Sequence, residues 1–247
     1  MLLRYICLFS ISPIIGEIFF INFKMKKLSA TLVHKIQLTH DVYELTYSLP
    51  ENPSIAPWQY MMFQLEPWLN RSYSIASFSW LNCTLIVKRI SDGKGSPRIC
   101  DASIGDIFQI MIPLGHFILK ATSIPKCFIG TGTGFAPLFS QINATADMWI
   151  TDIVAFIFGV RNIDDIFYED IIRDLGEGFL NFKYEQYLSR DEKDGYRKWY
   201  VTDWITKENI ENFGEFYICG SPIMVRDART KLEELGIQKD NIFFEQF

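Results

Sequence analysis

Between residues 30 and 119 the chain alternates apolar and polar positions in short runs broken by turn residues. Period-two alternation predicts strands at 30–38, 42–49, 60–65, 72–77, 83–88, 107–112 and 116–119. Prolines at 50, 53, 57, 67 and 113 punctuate them. Many short strands at this spacing predict an antiparallel β-barrel or sandwich. Helical spacing is confined to residues 97–102. After Pro125 the texture changes. Strands are predicted at 127–129, 153–158, 179–187, 216–219 and 242–245, separated by helices at 138–142, 164–175, 203–212 and 224–235. Strand–helix repeats of this kind build a Rossmann-like α/β domain with a parallel sheet. The pattern therefore divides the chain into residues 25–123 and 124–247.

Residues 1–24 stand apart. The run from Tyr5 to Phe23 has Glu17 as its only charge, and Lys24, Lys26 and Lys27 follow. It is long enough to cross a bilayer, and the lysines would then leave the rest of the chain in the cytoplasm. The alternative is an over-extended reading frame, with Met25-Lys26-Lys27 as the natural start. Membrane contact is expected only if these residues are real.

Bulk properties narrow the class. With 49% hydrophobic and 15% aromatic residues there is ample material for two cores. A net charge of −5 and the lack of a long basic run argue against nucleic-acid binding. The five cysteines, Cys7, Cys83, Cys100, Cys127 and Cys219, are odd in number and dispersed. They read as reduced thiols of a cytoplasmic protein, with neither metal-ligand nor iron–sulfur spacing.

Three stretches carry candidate chemistry. In Arg71-Ser72-Tyr73-Ser74, strand alternation puts the guanidinium and the phenol on one face and the two hydroxyls on the other. The pair suits a ligand that joins a flat ring to a phosphate; a surface Arg beside a half-buried Tyr is the plainer reading. In Gly93-Lys94-Gly95-Ser96-Pro97, Ser96 is expected as the N-cap and Pro97 as the first residue of a short helix. Its free amides would make a small anion site, or the stretch is simply a capped turn. Finally, Gly130-Thr131-Gly132-Thr133-Gly134 lies between a strand and a helix, with Pro137 in the first helical turn. That order presents a helix start to a dinucleotide phosphate.

These stretches in order, followed by Cys219-Gly220-Ser221-Pro222 and Met224, resemble the ferredoxin–NADP+ reductase superfamily over residues 28–247. The resemblance implies a flavin-binding barrel ahead of a nucleotide-binding α/β domain. It implies FAD, with Arg71 on the pyrophosphate, Tyr73 on the isoalloxazine and Ser74 near its reactive nitrogen, Ser72 lying between them. Gly93, Lys94, Gly95 and Ser96 would surround the same pyrophosphate. Thr131, Gly132, Thr133, Gly134 and Pro137 would take the phosphates of NADPH or NADH, and Cys219 and Gly220 would border its nicotinamide. Tyr73, Ser74 and Cys219 are thus the catalytic candidates. Ser189 and Arg190, helped by Arg161, stand where relatives bind the extra ribose phosphate. Asp164, Asp165, Asp191 and Glu192 nearby oppose it. Phe247 is a candidate cover for the flavin. Pro57-Trp58-Gln59 departs from the usual Pro-Gly-Gln.

The resemblance further implies an NAD(P)H oxidoreductase exchanging electrons with a ferredoxin or flavodoxin-like carrier. A free-flavin reductase and an electron-transfer subunit of a larger complex are the alternatives.

Overall fold

The computed structural model describes residues 24–247 except Asp152; the apolar extension, Cys7 and its membrane question lie outside them, save Lys24. The chain forms two compact units, dividing after His116 rather than at residue 123.

The first unit is a closed six-stranded antiparallel barrel, which decides between barrel and sandwich. Its strands are β1 (Lys26–Gln37), β2 (Val42–Ser48), β3 (Tyr60–Glu66), β4 (Leu69–Ser79), β5 (Asn82–Lys88) and β6 (Ile107–Leu114), in the order β1-β2-β5-β4-β3-β6. Alternation fills the interior: Leu32, Leu45, Tyr47, Met61, Phe63, Leu85 and Ile112 are all 0% exposed. Tyr47 meets Phe63 edge-to-face at 5.0 Å, and Phe63 meets Tyr73 likewise at 5.6 Å. Closure leaves no open sheet edge.

A short helix, α1 (Ser96–Cys100), packs Ile99 and Cys100 into this core. Its N-cap is Gly95, without a side-chain cap, so the expectation that Ser96 would cap is corrected. Ser96 is instead the first helical residue, and its buried hydroxyl accepts the amide of Ile90 at 2.9 Å. The predicted strand at 116–119 is also absent. Gly115 turns the chain at φ +121°, and Phe117 and Leu119 are buried without joining a ladder.

The second unit is a parallel sheet of β7 (Lys126–Thr131), β8 (Ile153–Val160), β9 (Asn181–Leu188), β10 (Arg197–Lys198), β11 (Glu215–Gly220) and β12 (Ile242–Gln246). Their order is β10-β9-β8-β7-β11-β12. The buried strands read as continuous apolar runs because both sheet faces are covered. Helix α2 (Phe135–Asp147) covers one face, with Phe135 against Phe156 at 5.9 Å and Phe158 at 5.3 Å. Helix α5 (Pro222–Glu234) packs Val225, Ala228 and Leu232 into the other core, with Ile129 and Ile218.

Two predicted helices are broken. Over 164–175, Asn162 and Asp165 close a capping box around a 3-10 turn at Ile163–Asp165, and Tyr168 takes φ +60° before α3 (Glu169–Gly176) begins. Over 203–212, Ile205 and Thr206 are extended, so a 3-10 turn at Val201–Trp204 precedes the short α4 (Lys207–Ile210). Strand β10, only two residues long, has no periodicity that a sequence could show.

Candidate functional site

In the barrel, antiparallel pairing sets Arg71 opposite Phe63 and Tyr73 opposite Met61, so both lean to the inner side of β4. The expected shared face is observed directly. A methyl group placed on Gly95 would lie 2.5 Å from Arg71 Cγ and 3.1 Å from the Tyr73 hydroxyl. Arg71, Tyr73 and the 93–96 turn therefore converge on one spot, and only glycine leaves it open.

Arg71 is exposed and donates to the Asn70 carbonyl at 2.7 Å, leaving further donors to meet an anion. Lys94, between Gly93 and Gly95, is exposed, while Gly93 is tightly turned through its amide to the Ile90 carbonyl at 2.9 Å. Burial raises the Tyr73 phenol above its ordinary pKa; nearby Cys100 adds to the effect and Arg71 opposes it. Tyr73 is thus a neutral hydrogen-bonding aromatic. Ser72 is exposed and Ser74 half-buried, Ser74 pairing across the ladder with Tyr60. The departure at Trp58 is absorbed locally. Trp58 is buried, and Gln59 accepts the Ala56 amide at 2.8 Å while its carbonyl takes the Ile75 amide at 3.1 Å.

In the second unit, the strand order reverses between β7 and β11, and the two glycine turns follow those strands. Clefts at such reversals are where open parallel sheets bind ligands. Gly134 sits against the backbone of Cys219 and Gly220, where a methyl group would be 2.8 Å from Gly220 N and closer still to the Cys219 carbonyl. Gly220, at φ +152°, faces the Thr131 hydroxyl, and a methyl group placed on Gly220 would lie 2.8 Å from Met224 Cε. Gly132 takes φ +56° in the 3-10 turn Gly132–Gly134 and opens onto free space. Thr131 and Thr133 are half-exposed, whereas Pro137 is buried in the first turn of α2. The Ser221 hydroxyl accepts the Met224 amide at 3.3 Å and caps α5.

Cys219 is 0% exposed. Burial first, and the Glu245 carboxylate second, raise its thiol well above the ordinary value, against an opposing backbone hydrogen bond from Gly220. It remains a neutral thiol at any ordinary pH. Phe247, 58% exposed, follows the last residue of β12.

At the neighbouring strand ends, the Ser189 amide donates to Val160 O at 3.1 Å and the Arg190 amide to Arg161 O at 2.9 Å. Arg161 and Arg190 are exposed, and among the described residues neither has an ion-pair partner. The acids thought to oppose them are largely engaged. Asp165 accepts from Asn162, Asp191 accepts the Ile163 amide at 2.8 Å, and Glu192 pairs with Lys198 at 2.6 Å; Asp164 is exposed. Trp199, which the sequence does not single out, donates its amide to Leu188 O at 3.1 Å; the residue is 57% exposed, its backbone takes φ +83°, and Lys198 Nζ lies 5.1 Å from its ring centre. No periodicity marks it.

Comparison with known proteins agrees with both halves. Residues 29–118 match the oxidoreductase FAD-binding domain and residues 128–230 the oxidoreductase NAD-binding domain. The glycine cradles and the Arg71 cation fit those two cofactors. The reductase component of propane 2-monooxygenase from Rhodococcus jostii is 32% identical over 193 residues, covering 72% of this chain and 51% of that protein. The ferredoxin–NAD(P)+ reductase component of the naphthalene 1,2-dioxygenase/salicylate 5-hydroxylase systems of Ralstonia is 29% identical, covering 85% of this chain and 66% of that protein. The chain thus spans only about half the length of the first of these relatives. The crystal structure of Amycolatopsis cytochrome P450 reductase GcoB superposes with a TM-score of 0.81 at 24% identity, over 91% of this chain and 71% of that one. With a closed barrel carrying the Arg-Tyr-glycine cluster and a parallel sheet carrying paired glycine turns, this chain belongs to the ferredoxin–NADP+ reductase-like superfamily.

Proposed function

We propose that the chain is an FAD-dependent NAD(P)H oxidoreductase that passes electrons between a nicotinamide dinucleotide and a one-electron carrier. The convergence of Arg71, Tyr73 and Gly95 carries this reading. Bound FAD supplies the exchange between a two-electron hydride and single electrons. The protein supplies position. Arg71 grips the pyrophosphate as a fixed cation, with the backbone of Gly93, Lys94, Gly95 and Ser96 alongside. Tyr73 holds the isoalloxazine, and Ser74, with Ser72 next to it, hydrogen-bonds the ring edge. Thr131, Gly132, Thr133 and Gly134 receive the nucleotide phosphates, with Pro137 fixing the helix behind them. Gly220 gives the nicotinamide close approach to the backbone, with Cys219 as a neutral thiol behind it. Phe247 covers a ring.

The cofactor reading is NADPH. Arg161, Ser189 and Arg190 bear the ribose phosphate; of the four acids nearby, Asp165, Asp191 and Glu192 are already hydrogen-bonded or paired, and Asp164 is exposed. The exposed Trp199 indole, one hydrogen bond from Leu188, offers a flat surface to the purine. Ferredoxin or a flavodoxin-like protein is the carrier. The relatives named above are reductase components, which favours a second form of the same reading: an electron-supplying component of a multi-protein system. The dispersed, buried free thiols among the described residues suit a cytoplasmic setting. Among those residues no helix is long and apolar enough to cross a membrane.

The test is flavin retention. Purified protein reconstituted with FAD or FMN is desalted, and bound flavin is measured by absorbance. FAD retained and FMN lost supports the pyrophosphate clamp. Equal loss of both would favour a free-flavin reductase.

A further inference from the structure

The start of β4 sets three residues in a fixed order. Trp68 lies in the turn that joins β3 to β4, Arg71 follows near the head of the strand, and Tyr73 comes after it. FAD carries its parts in the matching order of adenosine, pyrophosphate and isoalloxazine. In the proposed binding mode Tyr73 holds the isoalloxazine and Arg71 the pyrophosphate. The next position along the strand, where the adenosine would follow, is the turn.

That turn is short and well tied. β3 and β4 stay paired as far as Glu66 and Leu69, so only Pro67 and Trp68 lie outside the ladder. Pro67 restricts the backbone there. The step from Trp68 to Arg71 spans at most about 10 Å of extended chain, within reach of an adenosine whose phosphate rests on Arg71. A second tie comes from α1. The Arg98 guanidinium donates to the Leu65 carbonyl at 3.0 Å and to the Glu66 carboxylate. Helix α1 begins directly after Gly95, so the helix that follows the pyrophosphate turn also grips the base of the Trp68 hairpin. Glu66 is the one acid between residues 60 and 79. Its pairing with Arg98 offsets the charge that would otherwise repel a phosphate.

Trp68 itself contributes little to the barrel core. It is 80% exposed, and among the described residues its ring meets no other aromatic ring and no cation. An indole face is a large, sequence-tolerant platform for a purine. Trp80, 88% exposed, provides the internal comparison. It follows the far end of β4, roughly 30 Å along the strand from Arg71, too far for the same nucleotide to touch both.

We infer that Trp68 is the adenine platform of the barrel and, with Arg71, makes the chain select a flavin dinucleotide over a mononucleotide. The inference rests on the FAD reading and adds a contact to it.

Calorimetric titration with FAD and with FMN tests it on the full chain and on Trp68→Ala, Trp68→Phe and Trp80→Ala. Losing the stacked base in Trp68→Ala should raise the Kd for FAD roughly tenfold or more. Trp68→Phe, which keeps an aromatic face, should recover most of that loss, and Trp80→Ala should match the unaltered chain. The Kd for FMN should be the same in all four. The melting temperature of the flavin-free Trp68→Ala chain should be unchanged, because the side chain is exposed. An unchanged Kd for FAD in Trp68→Ala, or equal weakening of FAD and FMN, would overturn the inference; a preference of the unaltered chain for FAD over FMN would still support the pyrophosphate clamp. An unaltered chain that binds no FAD would overturn both.

Discussion

Gly95 and Arg71 are matched so closely that a single methyl group on the glycine would reach within 2.5 Å of Arg71 Cγ. The near end of a side chain cannot swing away as a flexible tip can, so the arginine itself would shift. Gly95→Ala should displace the guanidinium and cost about 1–3 kcal/mol of FAD binding, roughly five- to 150-fold in Kd. Fluorescence titration with FAD checks this, and an unchanged Kd would break the link between the turn and the cation.

Arg71→Ala removes the cation directly. Charge-assisted hydrogen bonds contribute about 1.5–3 kcal/mol each, so FAD affinity should fall roughly tenfold or more. FMN, which lacks a pyrophosphate, should be far less affected. Comparing the two flavins by isothermal calorimetry separates a phosphate clamp from general damage to the barrel.

The glycines of the 130–134 turn are not equivalent. Gly134→Ala would press against the Cys219 and Gly220 backbone, which cannot yield, and should destabilise the chain by about 2 kcal/mol or more. Gly132→Ala meets open space and suffers only its φ of +56°, which costs about 1 kcal/mol. Thermal melts of the two variants should rank them in that order.

Arg190→Ala should raise the KM for NADPH well above that of the unaltered chain while leaving KM for NADH nearly unchanged. Steady-state kinetics with an artificial electron acceptor measures both. Equal effects would remove Arg161, Ser189 and Arg190 from cofactor discrimination.

The four described cysteines share one property with a pH consequence. Burial raises every thiol: Cys100 to about 12, and Cys83, Cys127 and Cys219 well above the ordinary thiol value. A raised thiol pKa favours the neutral form, so no thiolate develops as pH rises through 6 to 9. Cys219→Ser should therefore leave the shape of the pH–rate profile intact. These four thiols should also resist iodoacetamide over that range. A limb near pH 8 that vanishes in Cys219→Ser would contradict the assignment.

Much of the fold was legible because burial follows a period. The alternation around Leu45, Tyr47, Leu85 and Ile110 is the barrel wall, and the unbroken apolar run 153–160 is a strand covered on both sides. Local chemistry misled where two signals competed. Ser96 looks like a cap, yet its hydroxyl turns back to Ile90, and Gly95 takes the cap position beside Arg71. The apolar spacing over 164–175 and 203–212 suits a helix, but the extended residues Ile166, Ile205 and Thr206 interrupt it. Strand β10 and the Trp199 position depend on contacts with β9 across the sheet, which no local window contains. In the candidate site, the pairing of Arg71 with Tyr73 follows from strand alternation alone. That Gly95 would meet them, and Gly134 the Cys219 backbone, required the tertiary structure.

The proposed activity is reduction of FAD held by the barrel by a nicotinamide dinucleotide bound on the parallel sheet. Its most direct test is the visible spectrum of FAD-reconstituted protein, desalted and then mixed anaerobically with NADPH and, separately, NADH. A flavin band that survives desalting and bleaches on mixing, faster with NADPH, is the expected result. A colourless protein that takes up no FAD, or a bound flavin that neither nucleotide bleaches, would contradict the account.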